Sequence, residues 1–288
     1  MPPPKGLQAF SAALERLRPL GSPPQRHVYD QWVPVRMEPG HVVLEPRGQC
    51  RSLPLEGRIL QGFLRQLLSD DWRLDTVAGL PRPDAEAVLA GALLTSYGDL
   101  GYQAAADGVV APRAVLRSIA ALRMGLRVVR FLPEESAGEL ETFICAERPD
   151  AEELLQQLLT RTHRVEAVRR VAQLVLLEAA NREGLEFAPA NPEATHFALV
   201  KAPATPLQFI WSALLIGGRA TLPERDVPGI YACDYQRCGE IFVRSSRRVR
   251  GERRFCSKLC GQKYWATRTT QKSRAEDRRK KGSSNDAR

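Results

Sequence analysis

No apolar run in this chain approaches the roughly 20 residues that span a bilayer. The opening Met-Pro-Pro-Pro-Lys also lacks the apolar stretch of a secretion signal. Membrane insertion and secretion are therefore not expected, and a cytoplasmic location is. Histidine is scarce and scattered, at His27, His41, His163 and His196, and each reads as structural or exposed. There is no glycine-rich phosphate loop and no serine–histidine–aspartate arrangement, so no catalytic residue and no organic cofactor is nominated. Internal repeats are missing as well.

What is present is ordinary in bulk and uneven in placement. The 288 residues, 43% hydrophobic and 26% charged, suffice for a sizeable core. Formal charge is +9, but residues 231–288 carry 17 Lys/Arg against 6 Asp/Glu, which is +11, leaving −2 for residues 1–230. A near-neutral body followed by a strongly basic segment points to a polyanionic partner. The cysteines are skewed in the same direction. Cys233, Cys238, Cys256 and Cys260 cluster, whereas Cys50 and Cys145 stand alone and read as core or half-exposed thiols. In a reducing compartment, clustered cysteines bind metal more often than they pair.

Apolar spacing predicts a mainly helical body after a Pro-rich arm over 1–35, which holds one short helix near 9–17. A short strand is expected at Val42, Val43 and Leu44. Helices are expected over 55–72, 84–96 and 112–125, with a strand over 127–132. Asp150 and Glu153 look like a capping box for a helix that reaches about Ala180, broken near Thr162. Strands are expected over 185–187 and 196–200. Thr205-Pro206-Leu207-Gln208 is a second capping box, for a helix ending in a left-handed turn at Gly217-Gly218. Residues 102–119 faintly resemble a helix-turn-helix, with Ala104 and Gly108 four apart. Val115 falls one residue out of register, so an ordinary helical hairpin is expected there. Residues 219–230 read as a linker.

The spacing Cys233-x4-Cys238, then 17 residues, then Cys256-x3-Cys260 supplies four soft ligands in two short-range pairs. Gly239 suits the tight turn beside the metal. Cys256 and Cys260 share a face if a helix begins there. A strand is expected over 240–243 and a tight turn over 245–251. One structural zinc ion is the expected cofactor, since four cysteines leave no open position for catalysis. The fold class expected is α+β: a mainly helical body with a few short strands, plus a small C-terminal treble-clef-like zinc finger. Of the two aromatics following the ligands, Tyr264 is a further candidate for nucleic-acid contact, and Trp265 is expected to pack over the metal, with stacking on a base as its other reading.

Arg254-Phe255-Cys256-Ser257 followed by Cys260-Gly261-Gln262-Lys263 resembles the CGNR zinc finger. Gln262-Lys263 stands where that family has Asn-Arg. The likeness covers about residues 231–268, and Phe242 fits it too. The resemblance implies a helical body of the ABATE type over 36–218, a finger over 231–270, a basic tail over 271–288, and a role as a stress-induced bacterial transcription regulator.

Candidate nucleic-acid contacts are Arg244, Arg247, Arg248, Arg250, Arg253, Arg254, Lys258, Lys263, Arg268 and Lys272. Guanidinium and ammonium groups pair with phosphates and release counterions. DNA is the expected partner, with the body sensing a small molecule or forming a homodimer. Two other readings stay open: an RNA-binding or ribosome-associated protein, and a protein-interaction module stapled by zinc.

Overall fold

The computed structural model describes residues 25–37, 41–54, 57–68, 82–102, 109–132, 137–148, 150–160, 162–189, 197–200, 203–220, 229–235, 238, 240–244 and 255–269. Two antiparallel strand pairs come first: β1 (Gln25–Val28) with β4 (Arg51–Pro54), and β2 (Gln31–Met37) with β3 (His41–Arg47). Six helices follow: α1 (Gly57–Leu68), α2 (Arg82–Tyr97), α3 (Pro112–Phe131), α4 (Ala137–Glu147), α5 (Ala151–Leu159) and α6 (Arg164–Arg182). Then come the pair β5 (Phe187–Pro189) and β6 (Phe197–Leu199), helix α7 (Pro206–Gly217), and the pair β7 (Gly229–Ala232) and β8 (Ile241–Arg244). A last helix, α8, covers 258–269. The class is α+β with a helical body, as expected. Residues 1–24 of the expected Pro-rich arm, the alanine-rich stretch 103–108 and the tail from 270 lie outside the described residues. The rest of that arm, 25–35, is not a loose arm: it forms β1 and most of β2, with Arg26 and Trp32 buried.

Helix α7 is the axis of the core. It is apolar around nearly its whole circumference, and Leu207, Phe209, Ile210, Trp211, Ala213, Leu214, Leu215 and Ile216 are all buried. α3, α6 and β7 pack around it. Gly125 of α3 faces Trp211, where an added Cβ would lie 3.0 Å from the indole ring. The expected N-cap at Thr205 is present, with the reciprocal bond of the box displaced by one residue. Thr205 Oγ1 accepts from the Gln208 amide at 3.2 Å, and Gln208 Oε1 accepts in turn from the amide of Ala204 at 2.8 Å.

Several expectations need correction. Residues 127–131 are helical, not a strand. Leu122, Leu126 and Val129 keep one buried stripe, so burial at helical spacing overrides the strand preference of the valines. α5 and α6 do break at residues 160–163, but Asp150 makes no side-chain cap. Its carboxylate accepts two hydrogen bonds from Arg148, at 2.9 and 2.6 Å, and Arg148 also reaches Glu178 of α6 at 2.6 Å. That network pins the junction of α4 and α5 to α6, and the Arg148 hydrogen bonds hold the Asp150 carboxyl below its usual range. Leu185 is a buried residue before β5, not part of a strand.

At the end of α7 the left-handed residue is Arg219, with φ 57°, while Gly218 has φ −74°. The turn closes with Ala220 N–H to Leu215 C=O at 2.9 Å and Arg219 N–H to Ile216 C=O at 3.1 Å. The two glycines serve space instead. A Cβ on Gly217 would sit 1.5 Å from the Ile230 carbonyl oxygen, and one on Gly218 would sit 2.7 Å from Leu176.

The stretch expected as a linker ends inside the core. Ala220 is buried, residues 221–228 lie outside the described set, and Ile230 in β7 is fully buried in the body's hydrophobic cluster. β7 packs on α7 and α3, and β8 packs on α1. Gln61 of α1 clamps β8: its Nε2 donates to the Ile241 carbonyl at 2.6 Å, and its Oε1 accepts from the Val243 amide at 3.2 Å. Beside it, Arg65 pairs with Glu240 at 3.2 Å.

Candidate metal centre

The four clustered cysteines are placed by the β7–β8 hairpin and by the start of α8. The hairpin turn begins at Cys233, whose amide donates to the Glu240 carbonyl at 2.9 Å. Within it the Cys238 amide donates to the Tyr235 carbonyl at 2.8 Å. The chain returns at Phe255. Ser257 then caps α8, its Oγ accepting from the Cys260 amide at 3.2 Å. Cys256 and Cys260 therefore flank the cap, one helical turn apart. β8 pairs with β7, the strand preceding the knuckle.

The sulfur atoms converge. Cys238 Sγ lies 3.5 Å from Cys256 Sγ and 3.6 Å from Cys260 Sγ, and Cys256 Sγ lies 3.6 Å from Cys260 Sγ. With Cys233 included, all four lie within 4.8 Å of one another, close enough to hold a metal ion. A tetrahedron with metal–sulfur bonds of about 2.3 Å has edges of about 3.8 Å, so these spacings fit a four-thiolate site. Without a cation, burial pushes the thiols of Cys233 and Cys256 up and that of Cys238 up to about 11, while Ser257 beside Cys260 draws its thiol down. Bound metal overrides this by coordinating the thiolate. The positive N-terminal end of α8 favours the same ionised form at Cys260.

A small satellite core supports the site. Tyr264 is 9% exposed and packs against Phe255, with ring centroids 5.1 Å apart. Gly261 admits that contact, since a Cβ there would meet Phe255 at 3.1 Å. The aromatic packed there is thus Tyr264. Trp265, expected in that role, is 53% exposed. It points off the neighbouring face of α8, because consecutive helical residues diverge by about 100°.

Of the basic candidates, Lys258, Lys263 and Arg268 are exposed on α8. Arg268 is already engaged, donating to the Tyr264 hydroxyl at 2.7 Å with its guanidinium 5.9 Å from that ring's centroid. Arg244 is the last residue of β8. Arg247, Arg248, Arg250, Arg253, Arg254 and Lys272 lie outside the described residues. Cys50 and Cys145 stay apart from the cluster. Cys50 is exposed, 3.8 Å from His27 Nδ1, and Cys145 is half-buried on α4. Sequence reasoning missed Gln61, Arg65 and Ile230, which fix the hairpin to the body. Their partners lie far along the chain, 180 residues away for Gln61 and Ile241.

Compared with known proteins, the chain matches no family model, no curated protein and no solved structure.

Proposed function

We propose that this chain is a zinc-stapled nucleic-acid-binding protein, and specifically a DNA-binding transcription regulator whose helical body senses a ligand or dimerises. The observation that carries the reading is the four-sulfur cluster set at the head of a helix with exposed lysines, in the +11 segment of an otherwise near-neutral chain. Four thiolates at tetrahedral spacing suit zinc and leave no open position, which makes the metal structural. The resemblance to the CGNR finger supports the regulator role and a cytoplasmic site of action. Lys258 and Lys263 supply phosphate contacts, and the arginines between the cysteine pairs supply more.

The test is binding of the full zinc-loaded chain to a fluorescent DNA duplex across a salt series, with structured RNA as competitor. The full chain is required because Ile230 and Ile241 belong to the body's core. Affinity is expected to fall linearly in log salt and to be lost with chelator or in Cys256→Ser. Preferential capture by RNA moves the assignment to an RNA-binding protein. No binding at physiological salt overturns the reading and leaves a protein-interaction module.

A further inference from the structure

The exposed indole of Trp265 is the strongest unexplained feature of the described residues. Large side chains on a small metal-stapled unit are usually drawn into its scarce core, and Tyr264 and Phe255 are. Trp265 instead stands in solvent. Its ring is nearly perpendicular to that of Tyr264, at 85° with centroids 5.2 Å apart. Tyr264 is itself packed against Phe255, so the indole rests on a supported neighbour. Lys258, Gln262, Trp265 and Thr269 follow i, i+4, i+7, i+11 spacing, and all four are exposed. The stripe thus offers a cation, an amide and a flat aromatic surface within three turns, with Lys263 farther round the helix.

We infer that Trp265 is a stacking platform for an unpaired base, and that the partner of α8 is single-stranded or locally melted nucleic acid. The inference rests on the nucleic-acid reading above and narrows it. Duplex bases present only their edges in the grooves, where sequence is read by side chains with paired donors and acceptors or by contact with the thymine methyl. An indole has one N–H donor and no acceptor, so edge reading is poorly served by it. Its large flat face matches what only an unpaired base offers, a free π-surface. Lys258, on the same stripe, is placed to meet the backbone phosphate of the stacked nucleotide. The stack is tolerant of base identity, so this element supplies affinity for unpaired strands without choosing a sequence.

The test uses the full zinc-loaded protein with three unlabelled probes of about 12 units, within the span of known single-strand sites: oligothymidine, oligouridine and a DNA duplex. Of the other three tryptophans, Trp32 and Trp211 are buried and Trp72 lies outside the described residues, so it is the part of the quench that Trp265→Phe abolishes that belongs to Trp265. Oligothymidine or oligouridine is expected to quench it, and the stronger of the two distinguishes a DNA from an RNA source. Trp265→Ala is expected to weaken single-strand binding by about 5- to 150-fold, the range of a lost stack. Its duplex affinity should stay within about two-fold, since the side chain reads no edge. Trp265→Phe, which keeps a ring, should recover most of the loss. Lys258→Ala should weaken all three probes and shallow the single-strand salt slope by about 0.7. Circular dichroism of Trp265→Ala should match wild type, because the residue is exposed. If Trp265→Ala leaves single-strand affinity unchanged, or lowers duplex and single-strand affinity alike, this inference fails and the nucleic-acid reading survives. If the unmodified protein binds none of the probes, both fail.

Discussion

At the residue scale the sharpest constraints sit where a side chain is missing. Gly217 lies where α7 crosses β7, and a methyl group there would overlap the Ile230 carbonyl. That oxygen is backbone, so it has no rotamer to move away with. Gly217→Ala is expected to destabilise the chain by about 3 kcal/mol, read as a drop in urea midpoint with little change in slope. Glu183 shows the opposite kind of imperfection. It closes the C-terminal end of α6, where the helix dipole disfavours a negative charge. Burial pushes its carboxyl above the ordinary 4.5, and the hydrogen bond from Ser118 at 3.2 Å only partly opposes this. A carboxyl raised in the folded state contributes stability that is fully present below its unfolded pKa and is lost as pH rises through the folded value. Glu183→Gln is therefore expected to be more stable than wild type near pH 7 and indistinguishable from it below about pH 4. Urea midpoints at the two pH values check this. Neither feature was legible beforehand. A glycine pair at a helix end reads as a left-handed turn, and the clash that demands it comes from a strand over ten residues later.

At the scale of elements, local signals were readable and long-range ones were not. The Thr205 cap, the α5–α6 break and the four-cysteine spacing are set by residues within a few positions of one another, and all are found. The extension of α3 to Phe131 was misread because Val128 and Val129 favour strands locally, whereas their burial against the core decides the outcome. The choice between Tyr264 and Trp265 needed the rotation of α8 relative to Phe255, which spacing alone does not supply. The Gln61 clamp is the clearest case. A glutamine on an amphipathic helix reads as solvated, yet it serves one donor and one acceptor of β8. Gln61→Ala leaves the Ile241 carbonyl and the Val243 amide without that partner, at a cost of about 1–3 kcal/mol. Gln61→Glu retains an acceptor for Val243 but turns a carboxylate oxygen toward the Ile241 carbonyl, so its thermal midpoint should be no higher than that of Gln61→Ala.

At the scale of the whole molecule, the four-cysteine cluster and the body share a hairpin. The turn of β7–β8 carries two of the cysteines, and its apolar residues Ile230 and Ile241 complete the cluster built on α7. Holding the turn with metal therefore also holds those side chains in the core. A zinc site on a flexible tether would unfold alone on chelation and leave the body's melting unchanged. Here, chelation or Cys256→Ser is expected to remove the helical signal of α8 and also to lower the midpoint of the body. Loosening two isoleucines is worth on the order of 2–5 kcal/mol in total, hence about 5–10 °C in a chain of this size. In a Trp265→Phe background, which removes the tryptophan of α8, the emission of Trp211, fully buried on α7 against Gly125 of α3, and of buried Trp32 follows the body separately from the far-ultraviolet signal that also includes α8. Combining chelation with Gln61→Ala tests the route. The clamp fixes β8 to α1, so without it the hairpin is less firmly attached and metal loss should cost the body less. A non-additive result of that sign makes the hairpin the mechanical link between metal occupancy and the core. Equal shifts with and without the clamp would place the link in the β7–α7 contact at Gly217 instead, where Ile230 enters.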